Sequence, residues 1–278
     1  MVEKVVTSGK ALTSFGSGGK VTVLYPSDVG ELIGLSRELK GSKFGIIGGG
    51  TNVLIPDGGT DFPLIGTAKL KKVVYTSDGV WVQCGVRLPS LAAELAARDL
   101  TIGEGLAGIP GTVGGAVIMN AGAFNSQTSD YISHIAVLNG DCVQIVSKND
   151  AGFGYRTSGL KGRTVIAALF RPLGKKREDI IAETARCALK RRQTQPSLPS
   201  CGSVFKRAGG VSAGFYIEGA GLKGLADGGA RISLKHANFI VNEGGATTEQ
   251  FLRLQALAAE KVYDKYKITL EKEFELIE

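Results

Sequence analysis

The chain has 278 residues, of which 40 are glycine and only 8 proline, so it can bury one large core or two ordinary ones, and no G-X-Y period makes it collagen-like. Hydrophobic content of 43% with 21% charged residues excludes disorder, and four cysteines with no C-x-x-C pair beside two histidines leave no basis for a metal site. The net charge of +7 is local, because residues 161–207 hold twelve Lys/Arg against Glu178, Asp179 and Glu183, while the remainder is slightly acidic.

In chain order, the amino terminus lacks an apolar run of signal-peptide length. Residues 20–25 alternate like a strand, and Ser27 is placed to cap a helix to Leu39 carrying Leu32, Ile33 and Leu35 on one face. A short buried strand at 44–47 runs into Gly48-Gly49-Gly50-Thr51-Asn52, followed by the apolar 53–55. Residues 73–75 and 80–84 form a hairpin through Asp78-Gly79. Pro89-Ser90 opens a helix over 91–98, and further strands are expected at 132–138, 142–146 and 164–170. Residues 180–191 and 246–266 read as helices, and 268–277 as a closing strand. This order predicts an α+β protein rather than a regular βαβ alternation, with a boundary near residue 172.

The stretch 105–129 is uncharged, but its six glycines, Pro110 and two asparagines make it too polar for a membrane span, so a soluble protein is expected. The basic segment is either a solvated helix face or a wall facing an anionic ligand. No aromatic residues interleave with it as single-strand binding requires, so nucleic acid is not an expected partner. The G-x-G-x-x-G of Gly103 to Gly108 follows a segment read as helical and is interrupted by Pro110-Gly111, against a dinucleotide fingerprint. Ser203-Val204-Phe205-Lys206 matches S-x-x-K, as does Ser158-Gly159-Leu160-Lys161, but neither S-D-N nor K-T-G is present. His134 is read as structural; His236 is open to lining a site or to packing.

Four segments carry the chemistry. Gly48-Gly49-Gly50-Thr51-Asn52 ends a buried strand and can form a nest of backbone N–H groups suited to a pyrophosphate, or a simple tight turn. In Gly108-Ile109-Pro110-Gly111-Thr112-Val113-Gly114-Gly115-Ala116, glycines recur every three residues, so backbone can lie against a flat ligand. Phe153-Gly154-Tyr155-Arg156-Thr157-Ser158 and Pro199-Ser200-Cys201-Gly202-Ser203-Val204-Phe205-Lys206 complete the set. With the Leu12 to Gly19 segment, Met119-Asn120-Ala121-Gly122-Ala123, Ile232 to Asn242 and Leu270-Glu271-Lys272-Glu273-Phe274-Glu275-Leu276-Ile277, they run in the order of the UDP-N-acetylenolpyruvoylglucosamine reductase (MurB) family. The chain resembles its compact second type over nearly its whole length.

The resemblance implies an FAD-binding fold of the vanillyl-alcohol-oxidase (PCMH) type over residues 1–172, in two subdomains of about 1–66 and 67–172, and an α+β substrate-binding domain over 173–278. It implies a UDP-N-acetylmuramate dehydrogenase: a monomeric enzyme of the bacterial cytoplasm that takes electrons from NADPH through FAD and reduces UDP-N-acetylglucosamine enolpyruvate to UDP-N-acetylmuramate. Gly48, Gly49, Gly50, Thr51, Asn52, Gly111, Thr112, Gly114 and Gly115 would hold FAD. Arg156 would take the carboxylate and the charge developing beside it, Glu273 would polarise the same group, and Ser203 would give the proton. Glu271 is the rival to Glu273 by spacing; the place before Phe274 favours Glu273. Tyr155, Lys206, Lys235 and Asn238 would contact the substrate. Cys201 adjoins this set as a small packing residue. Where the family has a proline after the next residue, this chain has Arg207-Ala208, which leaves that turn less constrained. The alternative is an FAD-dependent oxidase of the same superfamily acting on another sugar or alcohol, which would bleach its flavin with substrate alone.

Overall fold

The computed structural model describes residues 2–278. The chain forms two compact units, each built from separated stretches. The first takes residues up to Val5, Val23–Gly49 and Pro63–Lys190; the second takes Val6–Thr22, Gly50–Phe62 and Arg191–Glu278.

The first unit is organised by a five-stranded antiparallel sheet in the order Cys142–Ser147, Ile132–Asn139, Thr164–Phe170, Gly79–Gln83, Val73–Thr76. Thr164–Phe170 is buried along its whole length, as its unbroken apolar run requires of a central strand covered on both faces. The hairpin at Asp78-Gly79 forms as expected: Thr76 pairs with Gly79, whose φ of +130° glycine alone tolerates. Strand Gly45–Ile47 pairs in parallel with Leu64–Gly66, which also pairs with Val23 and Leu24 of the strand Lys20–Tyr25. Helix Val29–Glu38 buries Leu32 and Leu35 on this unit's core. Its cap is Asp28, which accepts from the Glu31 N–H, not Ser27. Ser27 instead donates its N–H and hydroxyl to the Glu31 carboxylate, so the expected cap sits one residue outside the helix.

The glycine-rich block holds a helix that the residue pattern conceals, Val113–Ile118, packed against Thr164–Phe170. The helix expected over 91–98 runs instead from Leu88 to Ala96, with Pro89 in its first turn. A two-residue strand, Leu100–Thr101, rather than helix, precedes Gly103 to Gly108. It pairs antiparallel with Leu173–Gly174, and the helix that follows is the single turn Glu104–Ala107, so the dinucleotide reading still fails.

The second unit packs helix Thr248–Tyr266 on the sheet Ala226–Asp227, Ala230–Ile232, Ile240–Asn242. The helix starts at a capping box between Thr247 and Gln250, and the Asp57 carboxylate accepts from the Thr248 and Glu249 N–H groups, both at 2.9 Å. Phe251, fully buried, meets Phe15 and Phe274 edge-on at 5.0 Å each. The expected strand over 268–277 is regular only at Glu275–Leu276, parallel to Val53–Leu54. Upstream the segment is bonded to 204–206, and it changes partner after Glu273, so no continuous ladder forms. Helix Arg177–Thr194 buries Ile180 alone, a charged surface helix as its composition suggests. Among the described residues no helix is long and apolar enough to cross a membrane, and no cluster of His, Cys, Asp or Glu could hold a metal ion.

Candidate functional site

In the first unit, Gly48 and Gly49 lie against Gly111 and Thr112. A side chain on Gly48 would meet the Thr112 hydroxyl at 2.4 Å, and one on Gly49 would meet the Gly111 Cα at 2.9 Å. Gly111 has φ +116°. Gly114 abuts Cys84, whereas Gly115 has nothing within 4 Å. The three-residue glycine spacing is therefore not a uniform strip: Gly111 and Gly114 are packed against other segments, whereas Gly108 and Gly115 are exposed. Thr112 Oγ1 is buried and has no hydrogen-bond partner among the described residues. A buried hydroxyl left unpaired costs about 1–3 kcal/mol, which a ligand oxygen accepting from it would offset. Bare backbone beside that hydroxyl fits a large, flat, phosphate-bearing group such as FAD.

Arg156 occupies the left-handed region at φ +55°, in a tight turn where Gly154 and Thr157 bridge. Its guanidinium donates to the Gly122 carbonyl at 2.7 Å and lies 5.2 Å from the centre of the exposed Tyr155 ring. Gly122–Ala123 pairs with Ser126–Gln127 through a two-residue turn, Phe124 and Asn125, both also at positive φ. Asn120, 2% exposed and at φ +42°, ties the two turns together. It donates to the Gly154 carbonyl (3.0 Å) and to Gln127 (3.2 Å), and accepts from the Ser129 N–H (3.0 Å). The motif Met119 to Ala123 contains Asn120 but gives it no role, although asparagine's tolerance of the left-handed region is a usable signal. Strain concentrated around one arginine is the kind of backbone that functional sites retain.

In the second unit, Gly50 has φ +65° with no room for a side chain, since a Cβ would come within 1.8 Å of the Leu12 carbonyl oxygen. Thr51 and Asn52 follow, both half-buried, and Asn52 donates its side-chain N–H to the Glu273 carbonyl at 3.0 Å. Glu273 N–H in turn donates to the Val204 carbonyl at 2.9 Å. This register lays the carboxyl-terminal glutamate beside the segment that carries Ser203. Gly202 before it, at φ +84°, turns the chain where a side chain would be strained. Cys201 is buried, and burial, with the Glu273 carboxylate adding to it, pushes its thiol up to about 12, so it packs rather than reacts.

The two rival glutamates differ in surroundings. Glu271 is 73% exposed and pairs with Lys206 at 2.5 Å, whereas Glu273 is half-buried. Lys235 is exposed and donates to the Arg192 carbonyl near the end of helix Arg177–Thr194. Asn238 has a different task from the substrate contact expected of it: it is 5% exposed, and both ends of its amide bond the Phe205 backbone, at 3.0 and 2.8 Å. His236 packs. Its Nδ1 accepts from the Asn238 N–H (3.2 Å), and its ring meets Phe239 edge-on at 5.1 Å.

Burial holds the His236 imidazole below its ordinary value of 6.5, with Lys223 opposing protonation and Glu218 favouring it. The folded state therefore binds this proton less readily than the unfolded chain. The stabilisation is present above pH 6.5 and is lost as the pH falls below it. Thermal melts from pH 7.5 to 5 should show that decline, and His236→Gln should flatten part of it; an unchanged slope would place the proton elsewhere.

A family model for the UDP-N-acetylenolpyruvoylglucosamine reductase C-terminal domain matches residues 194–277, and one for an FAD binding domain matches residues 21–145. The UDP-N-acetylenolpyruvoylglucosamine reductase of Caldicellulosiruptor saccharolyticus is 39% identical over 277 residues, spanning 96% of this chain and 89% of its own. That of a Thermotoga species is 39% identical over 269 residues, covering 95% and 90%. The crystal structure of the MurB enzyme of Thermus caldophilus superposes with a TM-score of 0.88 at 33% identity over 100% of both chains. A solvent-stable cholesterol oxidase, 15% identical with a TM-score of 0.51 over 63% of this chain and 38% of its own, shares the fold alone. The PCMH-type FAD-binding fold and the reductase-specific C-terminal domain lie on one α+β chain, and it belongs to the UDP-N-acetylenolpyruvoylglucosamine reductase family, the MurB flavoenzymes of peptidoglycan precursor synthesis.

Proposed function

We propose that the chain reduces UDP-N-acetylglucosamine enolpyruvate to UDP-N-acetylmuramate in the bacterial cytoplasm, as a monomer, with residues 1–172 serving the cofactor and lending Tyr155 and Arg156 to the substrate, for which 173–278 supply the rest. Bound FAD, recharged by NADPH, supplies the hydride. Gly48, Gly49, Gly50, Thr51 and Asn52 hold its pyrophosphate, and Gly111, Thr112, Gly114 and Gly115 flank the rest.

Hydride addition to the enolpyruvyl alkene leaves negative charge on the carbon beside the carboxylate. Arg156, permanently charged and forked, binds that carboxylate and stabilises the added charge. Glu273 polarises the same group, and Ser203 gives its proton to the carbanion. A serine hydroxyl is a weak acid in water, so it depends on neighbouring cations and on the high basicity of the carbanion. Lys206, Lys235 and Tyr155 take the phosphates and sugar.

The observation that carries this reading is the bond from the Glu273 N–H to the Val204 carbonyl, which sets the glutamate next to the serine's segment. The basic test is a yellow protein whose NADPH oxidation depends on the enolpyruvyl substrate. Within it, Glu273→Gln should lower kcat by roughly 10²-fold. Glu271→Gln should instead move KM, because it changes only the exposed partner of Lys206. A kcat loss from Glu271→Gln alone would exchange the two assignments.

A further inference from the structure

We propose that Asn238 is a positioning residue for Ser203, its side-chain amide taking the place of a neighbouring strand along Val204 and Phe205. The inference rests on Ser203 as the proton donor. Phe205 is 2% exposed, and its backbone N–H and carbonyl both bond the Asn238 side chain. The Val204 N–H donates to the Asn238 carbonyl at 2.9 Å, so one residue supplies three consecutive backbone bonds to this segment.

On the other side of the segment, the Glu273 N–H bonds the Val204 carbonyl, and Asn52 bonds the Glu273 carbonyl. The order across this ribbon is Asn238, Val204–Phe205, Glu273, Asn52. Ser203 is the residue immediately before the clamped pair and follows Gly202, whose left-handed backbone no side chain braces. Upstream the chain is held at Ser200, whose carbonyl accepts from the Ser14 hydroxyl and which bridges Val241, so the downstream clamp is the anchor next to the serine itself.

An amide can do this and few other side chains can. Its nitrogen donates and its oxygen accepts at the spacing of a peptide group, so it satisfies the N–H and the carbonyl of buried Phe205 together. Removal of either end leaves a buried backbone group unpaired, and a displacement of about 1 Å at a reacting group can cost on the order of 10²-fold in rate. Because the amide is turned inward, its loss should act on the chemical step and not on substrate affinity.

The test uses the holoenzyme. Asn238→Asp keeps the shape and the acceptor for the Phe205 N–H but sets an oxygen against the Phe205 carbonyl. Rapid mixing should show bleaching by NADPH within about 2-fold of wild type, and recovery of the yellow colour by substrate slowed about 10-fold or more, with KM nearly unchanged. A structural defect would not distinguish the two halves. In the Ser203→Ala background, Asn238→Asp should add no further slowing, since there is no hydroxyl left to aim. Asn238→Ser, with a short hydrogen-bonding side chain, is read in the same way should the Asp variant fail to retain flavin. An effect on KM alone, or full additivity with Ser203→Ala, would overturn the proposal. Wild-type recovery in Ser203→Ala itself would instead remove the donor assignment on which it rests.

Discussion

Ser203→Ala should give a yellow protein that NADPH bleaches at the wild-type rate but whose colour returns roughly 10²–10⁴-fold more slowly on addition of the enolpyruvyl substrate. The two half-reactions separate because only the second moves a proton onto carbon. NADPH delivers hydride without needing a general acid, so the serine has no role in bleaching. In the second half, on the proposed assignment of Arg156, the charge left beside the carboxylate is still stabilised but must wait for water to protonate it. The local backbone should survive the change: Gly202 sets the turn, and the bonds that hold Val204 and Phe205 are backbone bonds and those of Asn238. A loss shared equally by both halves would mean that the serine supports the cofactor's environment rather than the proton. A loss confined to KM would make it a binding group.

The site was legible where chemistry is concentrated in short contiguous motifs, and less so where it depends on long-range pairing. Strands Ile132–Asn139, Cys142–Ser147 and Thr164–Phe170 appear in the residue order because their apolar pattern and the turns between them are local. Helix Val113–Ile118 does not, because its sequence contains Gly114 and Gly115, each unfavourable in a helix by about 1 kcal/mol. Tertiary bonds sustain it: the Val113 N–H donates to the Val86 carbonyl and the Gly114 N–H to the Cys84 carbonyl. The closing segment alternates like one strand, yet alternation cannot show that it changes partners between 204–206 and 52–54. Asn238 was the least legible residue of all. A polar side chain in a motif suggests a ligand contact, and only its burial and its bonds to a residue 33 positions away reveal an inward task. The rivalry between Glu271 and Glu273 has the same origin, since spacing places both alike, whereas the exposure of Glu271 and its pairing with Lys206 set it apart from the half-buried Glu273.

Two glycine substitutions should move in opposite directions. Gly50→Ala places a methyl group 1.8 Å from the Leu12 carbonyl oxygen and 2.9 Å from its carbon, at a residue with φ +65°. The obstacle is backbone, and it cannot swing aside: the Ser14 N–H donates to the Gly50 carbonyl at 2.8 Å, and the Thr13 N–H to that of Gly9 at 2.9 Å. Left-handed strain and steric overlap together should destabilise the protein by about 3–5 kcal/mol, enough to yield little soluble, flavin-bearing enzyme. Gly115→Ala meets nothing within 4 Å, and Gly115 lies within helix Val113–Ile118. On protein contacts alone it should stabilise the flavin-free chain by up to about 1 kcal/mol, raising Tm by roughly 2–4 °C. The same methyl group would project where the cofactor is proposed to pack, so FAD affinity should fall on the order of tenfold while the apoprotein gains stability. Melting curves with and without FAD, together with a flavin titration, separate these effects. A Gly115→Ala protein that is more stable and binds FAD as tightly as wild type would remove Gly115 from the cofactor's contacts, leaving the exposed Gly49 and, across from it, Gly111 with the buried Thr112 hydroxyl to hold it.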